Sequence, residues 1–426
     1  MIFFYRALTF FLFPVFVIII FLRTYLNKED KKRFKEKISV SKFSLQKNKK
    51  IIWIHAASIG ETNSVFPLIS KLTKDNKDIF ILLTSTTLSS SQLIEKKNFN
   101  KNNVQHRFFP LDVQFLVKKF INHLNPELVI FVDSEIWPNY LLEISKRKIP
   151  LVLLNGRITM KTFKRWKSVS RLSLKLFNLY DLCLSSSEES EKNLKSLGAK
   201  NVKFLGNLKF CTNIIDENKY INLKSIFNKH NIWCAASTHP DEEKIILKTH
   251  KLLKQRGIKI ITIIIPRHIN RSNEIYKISN EFNLKSQIIN RFEDISRDSE
   301  VVIVNSIGEI INYFQNCESI FMGKSLSKKL IKVGGQNPIE PAKCGCKIYH
   351  GPYISNFKEI YKFLGEKKIA YEIINEFDLS QNLIEDFNNK NLKNKKNIEE
   401  INLYGEQILD LTTKEILKLK NEIKKT

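Results

Sequence analysis

With 426 residues the chain is too long for one ordinary domain and suits two of about 150–200 residues each. Its hydrophobic fraction of 43% fits ordinary globular cores, and only one stretch is apolar enough for a bilayer, which excludes a chain built of several membrane spans. The net charge of +27 raises nucleic acid and anionic membrane as partners, but the lysines are dispersed among Asn and Ile and no basic motif of a nucleic-acid-binding module occurs, so no nucleic acid is expected.

Residues 1–22, MIFFYRALTFFLFPVFVIIIFL, carry one charge, Arg6, and would span about 33 Å as a single helix. Large residues such as Leu22 and Tyr25 stand where a signal peptidase would need small ones, so the segment reads as an uncleaved anchor. Residues 23–50 form a basic juxtamembrane segment. By the positive-inside rule this keeps the body on the cytoplasmic side of a single-pass protein and offers an anionic lipid surface a complementary charge. Six cysteines without a CxxC pair fit a reducing compartment, and Cys344 with Cys346 alone does not make a metal site.

Beyond the anchor, short apolar runs alternate with helix-length amphipathic stretches. Runs at 51–55, 79–84, 128–132, 151–154, 182–185 and 202–205 read as buried parallel strands, with helices such as 61–74 and 138–147 between them. The rhythm stops at CTNIIDENKYINLKSIFNKHN, the expected domain boundary, and resumes at 232–236, 258–265, 301–304, 319–322 and 347–350. The expected organisation is an anchor (1–22), the basic segment (23–50), an N-terminal Rossmann-like domain (51–215), a second one (231–397) and a C-terminal helix (398–426). The low-complexity NNKNLKNKKN precedes that helix as a solvated loop.

The tetrapeptide Ser-Ile-Gly-Glu occurs at 58–61 and again at 306–309, each time after an apolar run and before a helix-like stretch. After a strand of a parallel sheet such a turn lies in the ligand crevice, where glycine permits close approach. Ser-x-x-Glu is equally a capping box. Both readings stand together. Polar clusters also fall at other strand ends: DSEIWPN (133–139), NGRIT (155–159), GNLKF (206–210), ASTHPDEE (236–243), PRH (266–268) and GGQNPIEPA (334–342). Each has a bland explanation, since Glu135 and Glu340 suit helix starts and a lone His is usually structural. Their common position after strands in both halves is what that explanation leaves out.

Taken in order, these segments resemble the 3-deoxy-D-manno-octulosonic acid (Kdo) transferases over nearly the whole chain, from the anchor and its RFKEK onward. The resemblance implies a GT-B architecture, two Rossmann-like domains facing across a cleft, behind an N-terminal transmembrane helix. It implies Kdo transfer from CMP-Kdo to a lipid A precursor at the cytoplasmic side of the inner membrane. Glu61 is then the general base, while Glu135, Asp133 and Lys209 assist at the transition state. The donor nucleotide falls to Pro266, Arg267 and His268, to Ile307, Gly308 and Glu309, and to Asn337, Pro338, Ile339 and Glu340. No Asp-x-Asp occurs, so no metal and no further cofactor are expected. The chain departs from the family with Asp133-Ser134-Glu135 for Glu-Thr-Glu, Gly323-Lys324 for Gly-Gly and Gln336 for His. The loop 325–336 also runs a few residues longer than usual. A UDP-sugar transferase of the same architecture and a membrane-tethered nucleic-acid-binding protein are the competing readings.

Overall fold

The chain divides into two α/β units, Met1–Thr212 with Tyr404–Thr426, and Asn213–Leu403. The structure is a computed structural model that describes residues 1–40, 48–212, 222–228, 230–389 and 395–422. Ten of the 21 residues of the polar segment expected at the domain boundary, 213–221 and 229, lie outside the described residues, as do 390–394 of the low-complexity stretch.

In the first unit seven parallel strands, β1 (Lys50–His55), β2 (Ile79–Ser85), β3 (Val104–Phe108), β4 (Leu128–Val132), β5 (Leu151–Gly156), β6 (Leu182–Ser185) and β7 (Val202–Phe204), form one sheet in the order β3-β2-β1-β4-β5-β6-β7. The interior strands are continuous apolar runs because helices cover both faces, and every residue of β2 and β4 is buried. Trp53 sits at the centre of the core, its ring against Phe120 and Phe131, and its indole N–H donates to Thr84 Oγ1 at 2.9 Å. The sheet order reverses between β1 and β4. Loops at the C-terminal ends of those two strands therefore flank a crevice.

The unit takes in the residues before 51 and the C-terminal segment from Tyr404, while its continuous stretch stops at Thr212. The last helix, expected from 398, is described over Lys395–Glu422. From Tyr404 it belongs to this unit: Glu415 pairs with Lys203 at 2.7 Å, and Gly405 lies so near the Phe210 carbonyl that a Cβ would come within 2.2 Å. At the other end, the expected single helix of residues 1–22 is two helices, Ile2–Phe11 and Phe13–Tyr25, bent by 51°. Pro14 explains the break, since it has no N–H to donate and its ring collides with the preceding turn. Among the described residues no single helix is long and apolar enough to cross a membrane, whereas the bent pair together passes by length and composition.

The second unit repeats the plan with β8 (Asn231–Thr238), β9 (Ile260–Pro266), β10 (Ser286–Ile289), β11 (Val301–Val304), β12 (Ser319–Met322), β13 (Lys347–His350) and β14 (Ala370–Glu372), all parallel, in the order β10-β11-β9-β8-β12-β13-β14. Its core repeats a detail as well: Trp233 Nε1 donates to Thr262 Oγ1 at 2.8 Å, as Trp53 does to Thr84. The order reverses between β8 and β12. Strands β3, β10 and β14, which the apolar runs do not reveal, are edge strands of the two sheets.

Candidate active site

The first crevice is built from the two strands that flank the reversal. After β1 the helix Ile59–Asp75 begins at Ser58, whose extended backbone (φ −108°, ψ 165°) and side-chain oxygen make it the N-cap. Glu61 stands three residues on. Its Oε1 accepts from Ser58 Oγ and its Oε2 from the Ala57 N–H, both at 2.7 Å. The box therefore closes one residue further back than usual, and the carboxylate stays turned towards the loop.

After β4, Asp133 takes a left-handed conformation (φ 64°) that turns the chain sharply, and the Arg157 N–H closes on its carbonyl at 3.2 Å. Glu135 follows, held by the Trp137 indole N–H at 2.6 Å and lying 3.3 Å from His55 Nε2. His55 is itself fixed: it is fully buried, stacks on Phe109 at 3.7 Å, and its Nδ1 meets Thr84 Oγ1 at 3.0 Å. Lys209 arrives from the turn after β7. Asn207 accepts the Lys209 N–H at 3.1 Å and Asn155, at the end of β5, accepts the Leu208 N–H at 2.9 Å.

The four side chains act on one another electrostatically. Burial, with further push from Asp133 and Glu135, raises Glu61 from 4.5 to about 7. Asp133 is raised by burial and by Glu135 but held back by Lys209 and Arg157. Burial lowers Lys209, while Asp133 and Glu61 favour its cation. The crevice thus holds a carboxylate able to take up a proton near neutrality, beside cationic groups. All four residues singled out in the sequence for chemistry come together here. His55, Asn155 and Arg157 join them; Asn155 and Arg157 lie in the NGRIT cluster, but nothing local to His55 separates it from any strand residue.

The second unit holds a cavity of about 160 Å³ at the ends of β8, β9 and β11. Pro266, Arg267, Ile307, Gly308 and Glu309 line it, joined by Ser237 of the ASTHPDEE cluster and by Tyr313, which no sequence motif marks. The second Ser-Ile-Gly-Glu is built differently from the first. Gly308 has φ +104°, which delays the helix to Ile310, and Glu309 makes no capping bond. Ser306 Oγ, Glu309 Oε2 and Tyr313 OH are buried without a hydrogen-bond partner in the protein. Buried polar atoms are seldom left so, and three together at a cavity point to a polar ligand.

The remaining donor residues do not line this cavity. His268 packs its ring against His239, with centroids 5.9 Å apart. Asn337 accepts the Ile339 N–H at 3.2 Å at the start of the short helix Ile339–Lys343. Pro338 and Ile339 are buried, and burial raises the carboxyl of Glu340. Glu242, unexposed, ties this side of the sheet together: its two oxygens accept the N–H groups of Lys324, Ser325, Leu326 and His239 at 2.8–2.9 Å, joining the loops after β8 and β12 at the reversal. Among the described residues no three His, Cys, Asp or Glu side chains gather as metal ligands.

Known proteins resemble the chain in sequence and in fold. The profile of a family described as 3-Deoxy-D-manno-octulosonic-acid transferase (kdotransferase) matches residues 32–212. The chain is 31% identical over 397 residues to the 3-deoxy-D-manno-octulosonic acid transferase of Rickettsia bellii, covering 92% of each chain. It is 30% identical to that of Haemophilus influenzae, covering 84% of this chain and 83% of the other. In fold it is similar to a putative UDP-N-acetylglucosamine 2-epimerase from Listeria monocytogenes, with a TM-score of 0.59 at 13% identity, over 89% of this chain and 98% of that one.

Proposed function

Because this chain belongs to the Kdo transferase family, we propose that it moves Kdo from CMP-Kdo to the lipid A precursor lipid IVA, by an inverting, metal-independent displacement on the cytoplasmic face of the inner membrane. Kdo transfer in lipopolysaccharide synthesis is the family's reaction; donor, acceptor and place are our reading. The two α/β units then form a GT-B pair, a reading supported by the fold similarity that spans both.

In the displacement, an acceptor hydroxyl oxygen attacks the anomeric carbon of Kdo as the carbon–oxygen bond to the CMP phosphate breaks. The bonding electrons leave with CMP. Glu61 takes the hydroxyl proton, and the observation that carries this role is a carboxylate raised to about 7 beside the crevice where the strand order reverses. Lys209 supplies positive charge as negative charge grows on the leaving side. Glu135, fixed by Trp137, together with Asp133 stabilises the electron-poor sugar carbon. Arg267 and the unpartnered atoms of Ser306, Glu309 and Tyr313 receive the nucleotide.

The test is to incubate the purified chain with a tetra-acylated lipid A precursor and either CMP-Kdo or a UDP-sugar, with and without EDTA, and to weigh the lipid product. Addition of one or more Kdo masses from CMP-Kdo alone, undiminished by EDTA, is expected. Transfer from the UDP-sugar instead, or loss with EDTA, would reject the reading.

A further inference from the structure

We propose that the apolar segment of residues 2–25 does not cross a membrane but lies in the plane of one anionic lipid leaflet, with both of its ends on the side of the protein body. This inference rests on contacts within the first unit and is independent of the donor and acceptor. The two helices have 10 and 13 residues, about 15 and 20 Å of helix, and each is shorter than the roughly 30 Å hydrocarbon layer.

The segment is fastened to the body along its length. Near its start, Tyr5 OH donates to Asp112 Oδ2 at 2.7 Å and Arg6 Nε to Asn139 Oδ1 at 3.3 Å. Asp112 is buried and also accepts the N–H groups of Asn139 and Tyr140, so Tyr5 joins a network internal to the fold. Midway, the Phe13 ring packs edge-on against Phe115 with centroids 5.1 Å apart, and Ile20 is buried. At its exit Arg23 bonds Glu29 at 2.7 Å; Glu29 pairs with Lys37, whose Nζ reaches the Thr86 carbonyl at 2.7 Å. A chain tied to one body at residues 5, 6, 13 and 23 cannot place its start across a bilayer from its end without breaking these contacts.

The other side of the segment is bare apolar surface: Phe3, Phe4, Phe10 and Phe11 are 59–79% exposed, and Ile18 and Leu22 are each 58% exposed. Its neighbourhood decides what covers it. The helix Pro138–Lys146, which carries Asn139, packs against the helix Ser170–Phe177. From 160 to 179 the sequence has six basic residues and no acidic one. All six are exposed and none is in an ion pair among the described residues. An apolar face linked through one helix to a segment of unpaired cations matches acyl chains beside anionic headgroups. A second copy seated on the same face would bring like charges together.

Two measurements on the full chain test the proposal, and neither needs a sugar donor. In sealed vesicles with the body outward, protease should remove a tag placed before Met1 as readily as it digests the body. Protection of the tag while the body is digested would show a crossing and overturn the proposal. With lipid vesicles, the purified protein should bind a mixture of phosphatidylglycerol and phosphatidylcholine at least tenfold more tightly than phosphatidylcholine alone. The variant with Lys161, Lys164, Lys167 and Arg171 each changed to Glu, unchanged in thermal unfolding, should lose that preference. Equal binding to both vesicles, or a lipid-free dimer that Phe3→Ser with Phe11→Ser dissolves, would overturn it.

Discussion

Asn155 Oδ1 accepts the Leu208 backbone N–H at 2.9 Å, so the end of β5 fixes the turn that carries Lys209 into the crevice. Asn155 also sits at φ 52°, where a side chain with a Cβ is strained. Asn155→Ala should therefore destabilise the protein by about 2–3 kcal/mol, from an unsatisfied buried N–H and the strained backbone together. Asn155→Gly keeps the first loss but relieves the second, and should recover about 1 kcal/mol. Urea unfolding measures both, and turnover should fall in each because Lys209 loses its support.

Glu61 ties activity and stability to pH in opposite directions. A base works ionised, so turnover should rise with pH and level off above about 7. Because burial lifts the folded carboxyl from 4.5 to about 7, its contribution to stability is full below 4.5 and is lost as pH rises through 7. Glu61→Gln removes that loss. Its melting temperature relative to the wild type should climb between pH 4.5 and pH 8, while turnover drops by roughly 10²-fold or more. An unchanged acid limb in the variant's rate profile would assign the proton to another group.

The two Ser-Ile-Gly-Glu turns should respond differently to the same change. Ser58→Ala removes a working cap, a loss of about 1 kcal/mol, whereas Ser306 Oγ has no bond to lose and Ser306→Ala should stay within about 0.5 kcal/mol of the wild type. Glu309→Gln should leave folding intact and weaken CMP binding about tenfold or more, the scale of a charged hydrogen bond. Calorimetry with CMP and thermal unfolding of the three variants separate these outcomes.

Trp137→Phe isolates what holds Glu135. The substitution keeps an aromatic ring and deletes the 2.6 Å bond to the carboxylate, a bond of about 1.5–3 kcal/mol when the acceptor is charged. Turnover should fall by about 10- to 100-fold, while the melting temperature drops by only the several degrees that the lost bond accounts for. A lowered melting temperature with normal turnover would show Glu135 to be structural.

Three of the four edge strands show where sequence reading stops. VQHRF, SQII and AYE pair on one side only and keep one or more residues partly or fully exposed, so they carry no apolar run to find. Interior strands such as IFILLTS are buried throughout and are plain in the sequence for that reason. The same holds at the sites. Glu61, Asp133 and Glu135 are legible because each directly follows an interior strand, whereas His55 acts through a partner 80 positions away and has no local mark.

What the sequence alone determined is therefore everything that depends on neighbours in the chain: the α/β alternation, the turns that follow strands and the residue types waiting in them. Only the tertiary structure decided which of two identical tetrapeptides caps its helix, because Gly60 enters a helical turn while Gly308 is held at φ +104°. It likewise lifted Glu61 to about 7, chiefly by burying it and further by bringing up carboxylates more than 70 positions away, and laid the apolar first helices against Asp112 and Phe115. Burial and through-space charge depend on which strands become neighbours, and a sequence read along its length has no term for that distance.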